Sequence, residues 1–205
     1  MSDEELERAY ALNSPDEARA LYESWAGTYD TDFVDRMGYA SPRRAAEIYL
    51  AEGADEPCLD VGAGTGAVAE HLRGIMVDAL DLSAEMLGVA AGKGLYRQTI
   101  EADLNAPLDL PDAAYGGMVS AGTFTHGHVG PGCLPELLRI VRPGSLFVFT
   151  VLPGVYDGMG FGTALARLQA GGRISPLRFA DIAIFENAGH AHAGDRSLVV
   201  IFRKT

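Results

Sequence analysis

The sequence predicts an α/β fold with a doubly wound, mostly parallel sheet, and three observations carry that reading. Short apolar runs bounded by turn residues recur at 57–61, 75–82, 95–100, 115–121 and 145–152, with helical spacing between most of them. Alternation at this spacing implies parallel βαβ units covered on both faces. The last two apolar runs, 179–186 and 198–203, stand too close for a crossover helix and should pair antiparallel as a hairpin. With 205 residues and 48% hydrophobic content the chain suits one buried core. Residues 1–205 therefore read as a single domain, a helical cap over 1–52 and an α/β core over 53–205.

Each element has a local reason. Ser14-Pro15-Asp16-Glu17 is a capping box with proline at the first helical position, so a helix should run from there toward Trp25, before Gly27. Ser41-Pro42 starts a second helix, to about Glu52. Cys58-Leu59-Asp60-Val61 is a short buried strand that opens into Gly62, Gly64 and Gly66; a helix is expected over 66–73, stopped by Gly74. Ser83 should cap the helix after the second strand. A Pro- and Asp-rich connector at 105–113 precedes the fourth strand, and a helix at 133–141 ends at Arg142-Pro143-Gly144. A glycine-broken segment with a short helix near 162–170 leads to the hairpin.

Charge and composition exclude several functions. A net charge of −12, with no basic cluster longer than Arg43-Arg44, argues against a nucleic-acid backbone as partner. Residues 1–60 hold 15 acids against 5 Lys or Arg, which reads as a solvated acidic cap. The acidic start, MSDEELERAY, has no apolar leader region, and no later stretch nears the ~18 apolar residues that span a bilayer. A cytoplasmic protein without membrane association is expected. Cys58 and Cys133 have neither metal-knuckle nor disulfide-framework spacing and are read as reduced thiols.

In open α/β sheets ligands bind outside the carboxyl ends of the parallel strands. Three of the first four such positions carry an acid: Asp60, Asp81 and Asp103. An Asp there is usually a cap or a turn former, but three on one rim around a glycine loop would repel a pyrophosphate. They suit a ligand with cations, hydroxyls and an amine. S-adenosylmethionine has an α-ammonium, a sulfonium, two ribose hydroxyls and an adenine amine.

At these residues the chain resembles the class I S-adenosylmethionine-dependent methyltransferases. LDVGAGTG at 59–66 is similar to the family's first motif, VDALDLSAEML at 77–87 to the second-strand motif, and EADL at 101–104 to the third. Residues 114–150 resemble its fourth and fifth strands, and YESWAGTYDTDF at 22–33 resembles the opening of a subset that includes the Williams-Beuren region methyltransferase-like proteins. The resemblance implies a Rossmann-like seven-stranded sheet, order 3-2-1-4-5-7-6 with strand 7 antiparallel. It implies that Asp60 meets the ammonium, directly or through water, and that Gly62, Ala63 and Gly64 approach the methionine part. Asp81 would hold the ribose hydroxyls, Leu82 and Met86 flank the adenine, Asp103 accept from its amine with Leu104 nearby, and Ala121, or Gly122, lie under the sulfonium. Tyr22, Trp25 and Tyr29 would close over the cofactor as a lid, or else simply pack in the core.

Methyl transfer from a sulfonium chiefly needs an aligned nucleophile and exclusion of water. A base matters only for a protonated acceptor, and the candidates are His126 and His128, whose alternative role is that of hydrogen-bonded loop residues. His190 and His192 form a second H-x-H after strand six. In the family order that strand lies about 14 Å from strand four, so no metal is expected. Two other readings remain open: Gly62 to Ala67 also fits a loose dinucleotide pattern, with Asp81 as the ribose acid, and the fold could serve as a non-catalytic binding module. The acceptor is expected to be a small molecule methylated on oxygen, nitrogen or carbon. It should be selected by the cap and by residues 153–176, where Tyr156 and Phe161 could line an apolar pocket.

Overall fold

The computed structural model describes residues 15–126 and 129–205. The Ser14 cap, the acidic start of the chain and His128 lie outside the described residues. Helix α1 (Pro15–Trp25) ends just before Gly27, and α2 (Ser41–Ala51) opens with Pro42 in its first turn. Between them Asp30–Asp35 forms a π-helical turn. Strand β1 (Cys58–Val61) is buried along its whole length, as its unbroken apolar run with one acid requires.

Strands β2 (Val77–Asp81), β3 (Thr99–Glu101), β4 (Tyr115–Phe124) and β5 (Val141–Val151) continue the parallel part of the sheet. Strand β7 (Arg196–Arg203) lies antiparallel between β5 and β6 (Arg178–Ala183). The order is β3-β2-β1-β4-β5-β7-β6, the doubly wound topology that the alternation implied. Helix α3 (Ala84–Gly92) follows β2, with Ser83 Oγ accepting the Met86 N–H as its N-cap. Helices α4 (Leu134–Ile140), α5 (Pro153–Gly158) and α6 (Phe161–Ala170) complete the set.

Two apolar layers hold the sheet. On β5, Phe147 and Phe149 enter the layer that contains Leu137 of α4 and Phe161 of α6. Leu146 and Val148 alternate into the opposite layer, against Ala45, Ala46 and Tyr49 of α2. Each side chain follows from the two-residue period of the strand.

One expected element is absent. Residues 66–73 form turns and a 3-10 turn at Ala69–His71 rather than an α-helix. Of its backbone bonds only Glu70 to Gly66 spans four residues, whereas His71 to Val68 and Leu72 to Ala69 span three. Seven residues between two left-handed glycines, Gly66 and Gly74 (φ +95° and +88°), are too few to repay helix nucleation. The expected helix start after β1 is therefore not there.

Candidate functional site

A cavity opens over the carboxyl ends of the parallel strands, where the chain crosses over at β1 and β4. Its lining gathers most of the residues singled out in the sequence. Gly62 and Gly64 come from the loop after β1, and Asp81, Leu82 and Met86 from the end of β2 and the start of α3. Asp103 and Leu104 follow β3, Ala121 belongs to β4, and Tyr22, Trp25 and Tyr29 reach over from the cap. The three cap rings touch edge to face, Tyr22 to Trp25 at 5.8 Å and Tyr22 to Tyr29 at 6.2 Å. Burial pushes the Tyr29 phenol well above its ordinary range, with the nearby Tyr39 and Tyr22 phenols and Asp30 and Asp81 carboxylates adding to it.

The glycine loop is shaped by its neighbours. Asp81 accepts the Gly64 N–H at 2.8 Å through one carboxylate oxygen and the Ser83 N–H at 2.9 Å through the other. Burial raises its pKa, and those backbone donors oppose the rise. A Cβ on Gly62 would stand 1.9 Å from Thr123 Oγ1, while nothing stands within 4 Å of a Cβ on Gly64. The first glycine makes room for β4, and the second faces the cavity. Asp103 closes a turn of its own, its Oδ1 accepting the Asn105 N–H at 2.8 Å.

Three expected site residues do not line the cavity, and of these Asp60 keeps the place expected for it, beneath the loop. Asp60 is fully buried beneath the loop and does not line the cavity; Tyr96 donates to its Oδ2 at 2.7 Å, and Oδ1 has no hydrogen-bond partner among the described residues. Burial drives its pKa up to about 7, against the Tyr96 bond that lowers it. Ala63 packs with Ala79 and Leu87 beneath the loop. His126 is exposed at the end of β4 and lies outside the lining.

The acceptor-side expectation needs correcting. Residues 153–176 do not line the cavity: Phe161 is fully buried against Phe124, 5.3 Å between centroids, and Tyr156 packs on Phe179. Ile184 and Phe185, just past β6, take that place, because an isolated antiparallel bridge between Tyr39 and Phe185 draws the β6 end under the cap. No local pattern announced this. His192 pairs with Asp195 at 2.9 Å and His190 packs edge-on to Phe185 at 4.9 Å. Among the described residues no three His, Cys, Asp or Glu side chains stand where they could hold a metal ion.

A clasp joins the cap to the loop. Asp30 accepts from Thr65 Oγ1 at 2.5 Å and pairs with Lys93 at 2.6 Å, and Lys93 pairs with Glu70 at 2.6 Å. Neither Asp30 nor Lys93 stood out in the sequence, since three separate segments supply this cluster.

The family model of the methyltransferase domain matches residues 59–149, from β1 through β5. That match takes in just under half of the chain, and the sheet order is the one the resemblance to class I methyltransferases implied. The chain is 33% identical over 132 residues to a malonyl-[acyl-carrier protein] O-methyltransferase of Serratia marcescens, covering 62% of this chain and 49% of that protein. It is 32% identical over 137 residues to a demethylmenaquinone methyltransferase of Tropheryma whipplei (strain Twist), covering 64% and 57%. The chain spans about half the length of the curated relatives it matches. Among solved structures, the N-methyltransferase NodS of Bradyrhizobium japonicum WM9, in complex with S-adenosyl-L-homocysteine, superposes with a TM-score of 0.68 at 14% identity, over 91% of this chain and 97% of that one. The two chains thus share their fold. No helix among the described residues is long and apolar enough to cross a membrane.

Proposed function

We propose that the protein transfers a methyl group from S-adenosylmethionine to oxygen, nitrogen or carbon of a small-molecule acceptor. The observation that carries this reading is the acid set around a glycine whose α-carbon faces open space: Asp81 and Asp103 on the lining, and the unpartnered Asp60 Oδ1 beneath it. These residues fit the cofactor's groups. A buried carboxylate oxygen without a donor favours an ammonium, and carboxylates on a rim favour hydroxyls and an amine. Against a dinucleotide stand the same three acids and the Gly64 N–H, which is already given to Asp81 rather than open to a phosphate.

When bound, the cofactor supplies a methyl group on a sulfonium that needs no further activation. In this reading Asp81 holds the ribose hydroxyls, and Leu82 and Met86 flank the adenine with Asp103 and Leu104 at its edge. Gly62 and Gly64 admit the methionine part and Ala121 lies under the sulfonium. Tyr22, Trp25 and Tyr29 exclude water and offer ring faces to a cation. Asp60 acts from below the loop, and Ala63 keeps the loop seated rather than touching the ligand. Alignment and dryness are what the chain contributes. A base role for His126 or His128 belongs only to an acceptor that arrives protonated. Two buried free thiols suit a reducing cytoplasm, and the charge of −12 disfavours nucleic acid.

Calorimetric titration of the full chain with S-adenosylhomocysteine and, separately, NADH tests the reading. Micromolar binding of the first and none of the second is expected; the reverse result would reject it.

A further inference from the structure

The cavity has two chemically different halves. Its charged lining residues are Arg19, Asp81 and Asp103. Asp81 and Asp103 follow β2 and β3, and Arg19 belongs to α1, which packs on α3 beside them. The half over β4, β5 and β7 presents, among the described residues, rings, aliphatic side chains and hydroxyls.

Three of those hydroxyls are taken up by backbone groups. Thr123 donates to the Val61 carbonyl at 2.9 Å, Ser197 donates to the Val151 carbonyl at 3.1 Å, and Thr150 Oγ1 accepts the Gly122 N–H at 2.9 Å. Each ties a backbone group at a strand end, which leaves less of its hydrogen-bonding capacity for a ligand. What remains is a wall of Phe33, Tyr39 and Phe185 with Ile184, Leu152 and Val129. Phe33 and Tyr39 lie 4.8 Å apart at 43°, and Phe185 meets Phe33 at 5.9 Å and 89°. Rings set at such angles leave flat faces and edges that suit another ring.

We infer that the acceptor half takes an uncharged, flat, apolar ring compound, aromatic or quinoid, in preference to a carboxylate or an aliphatic ammonium. Among the described residues this half of the lining holds no charged side chain to offset the desolvation of an ion, whereas a ring replaces water with edge and face contacts. The inference rests on the methyl-transfer reading only in calling the occupant an acceptor.

The test titrates the full chain, saturated with S-adenosylhomocysteine, with 2-naphthol, 2-naphthoate and hexylammonium at neutral pH. Naphthol is expected to bind at least tenfold tighter than either ion, and Phe185→Leu, which keeps apolar bulk and removes the ring, to weaken it at least fivefold. Val129 is part-exposed, so Val129→Asp puts a carboxylate in the wall without unfolding it; naphthol binding then falls and hexylammonium binding rises. Equal or tighter binding of either ion by the unaltered chain, no naphthol binding, or indifference to both substitutions overturns the inference. If S-adenosylhomocysteine itself fails to bind, the methyl-transfer reading falls, and the same titrations on the unloaded chain still decide the character of the wall.

Discussion

Tyr96 holds one oxygen of the buried Asp60 carboxylate by a 2.7 Å hydrogen bond and leaves the other oxygen without a partner among the described residues. The tyrosine comes from the approach to β3, and its ring also blocks the space above Gly66, 3.0 Å from where a Cβ would stand. One side chain thus sets both the acid and the loop above it.

The raised Asp60 pKa of about 7 has two consequences of opposite sign. In the free protein the folded state keeps a proton that the unfolded chain has already lost, so this group withdraws stability as pH rises from the ordinary carboxylate range to 7. An ammonium ligand prefers the ionised acid, so its affinity gains over the same window. Between pH 6 and pH 8 the affinity for S-adenosylhomocysteine should rise about tenfold, and Asp60→Asn should flatten the curve. Tyr96→Phe removes a bond that favours ionisation, and Asp81 remains to disfavour it, so the midpoint should move above 7. Titration calorimetry in steps of half a pH unit reads all three; a flat profile in the unaltered chain would discard the ammonium role of Asp60.

Gly62 and Gly64 should separate stability from binding. Gly62→Ala drives a methyl into Thr123 at a left-handed φ of +68°, which should cost about 2 kcal/mol or more and lower the melting temperature. Gly64→Ala, at φ +53° with open space beyond, should cost only about 1 kcal/mol of strain. Its effect should instead be a loss of S-adenosylhomocysteine affinity of tenfold or more. Melting curves and titrations on the two variants would show whether the assignments are reversed.

Asp81→Ala removes a carboxylate that both tethers the loop and faces the cavity. The expected loss in S-adenosylhomocysteine affinity is ~1.5–3 kcal/mol, the range for hydrogen bonds to a charged group. Adenine-free analogues that keep the ribose should lose as much, and unchanged affinity would remove the ribose role.

Both thiols should be inert in the folded protein. Burial pushes Cys133 up to about 12 and Cys58 higher, and neither is exposed. Iodoacetamide at pH 8 should label both in urea and neither under native conditions, as read by intact mass.

The topology was legible because periodicity and connection length are local quantities. The five parallel strands and the closing hairpin follow from apolar runs and from the ten or so residues between the last two of them. The charged half of the cavity was legible for the same reason: Gly62, Gly64, Asp81 and Asp103 sit at strand ends in sequence order. Tyr96, Asp30, Tyr39 and Phe185 were not, because their roles depend on segments that meet only in three dimensions. The 66–73 stretch misled in the other direction, since its helical spacing carries no information about the two glycines that stop it from propagating. Phe161 and Tyr156 were assigned to a pocket from position alone, and packing against Phe124 and Phe179 took them elsewhere.

The Asp30–Lys93 pair, with Glu70 and Thr65 beside it, makes the roof of the cavity an electrolyte-dependent part of the molecule. Its charges are partly solvent-exposed, and the distance over which such charges feel one another shrinks from about 10 Å at 0.1 M salt to about 3 Å at 1 M. The apolar wall of rings and aliphatic side chains carries no such pair among the described residues. Rising ionic strength should therefore weaken the tie between cap and glycine loop while leaving the apolar wall unchanged, so that how long a ligand stays enclosed becomes a property of the surrounding medium as well as of the pocket.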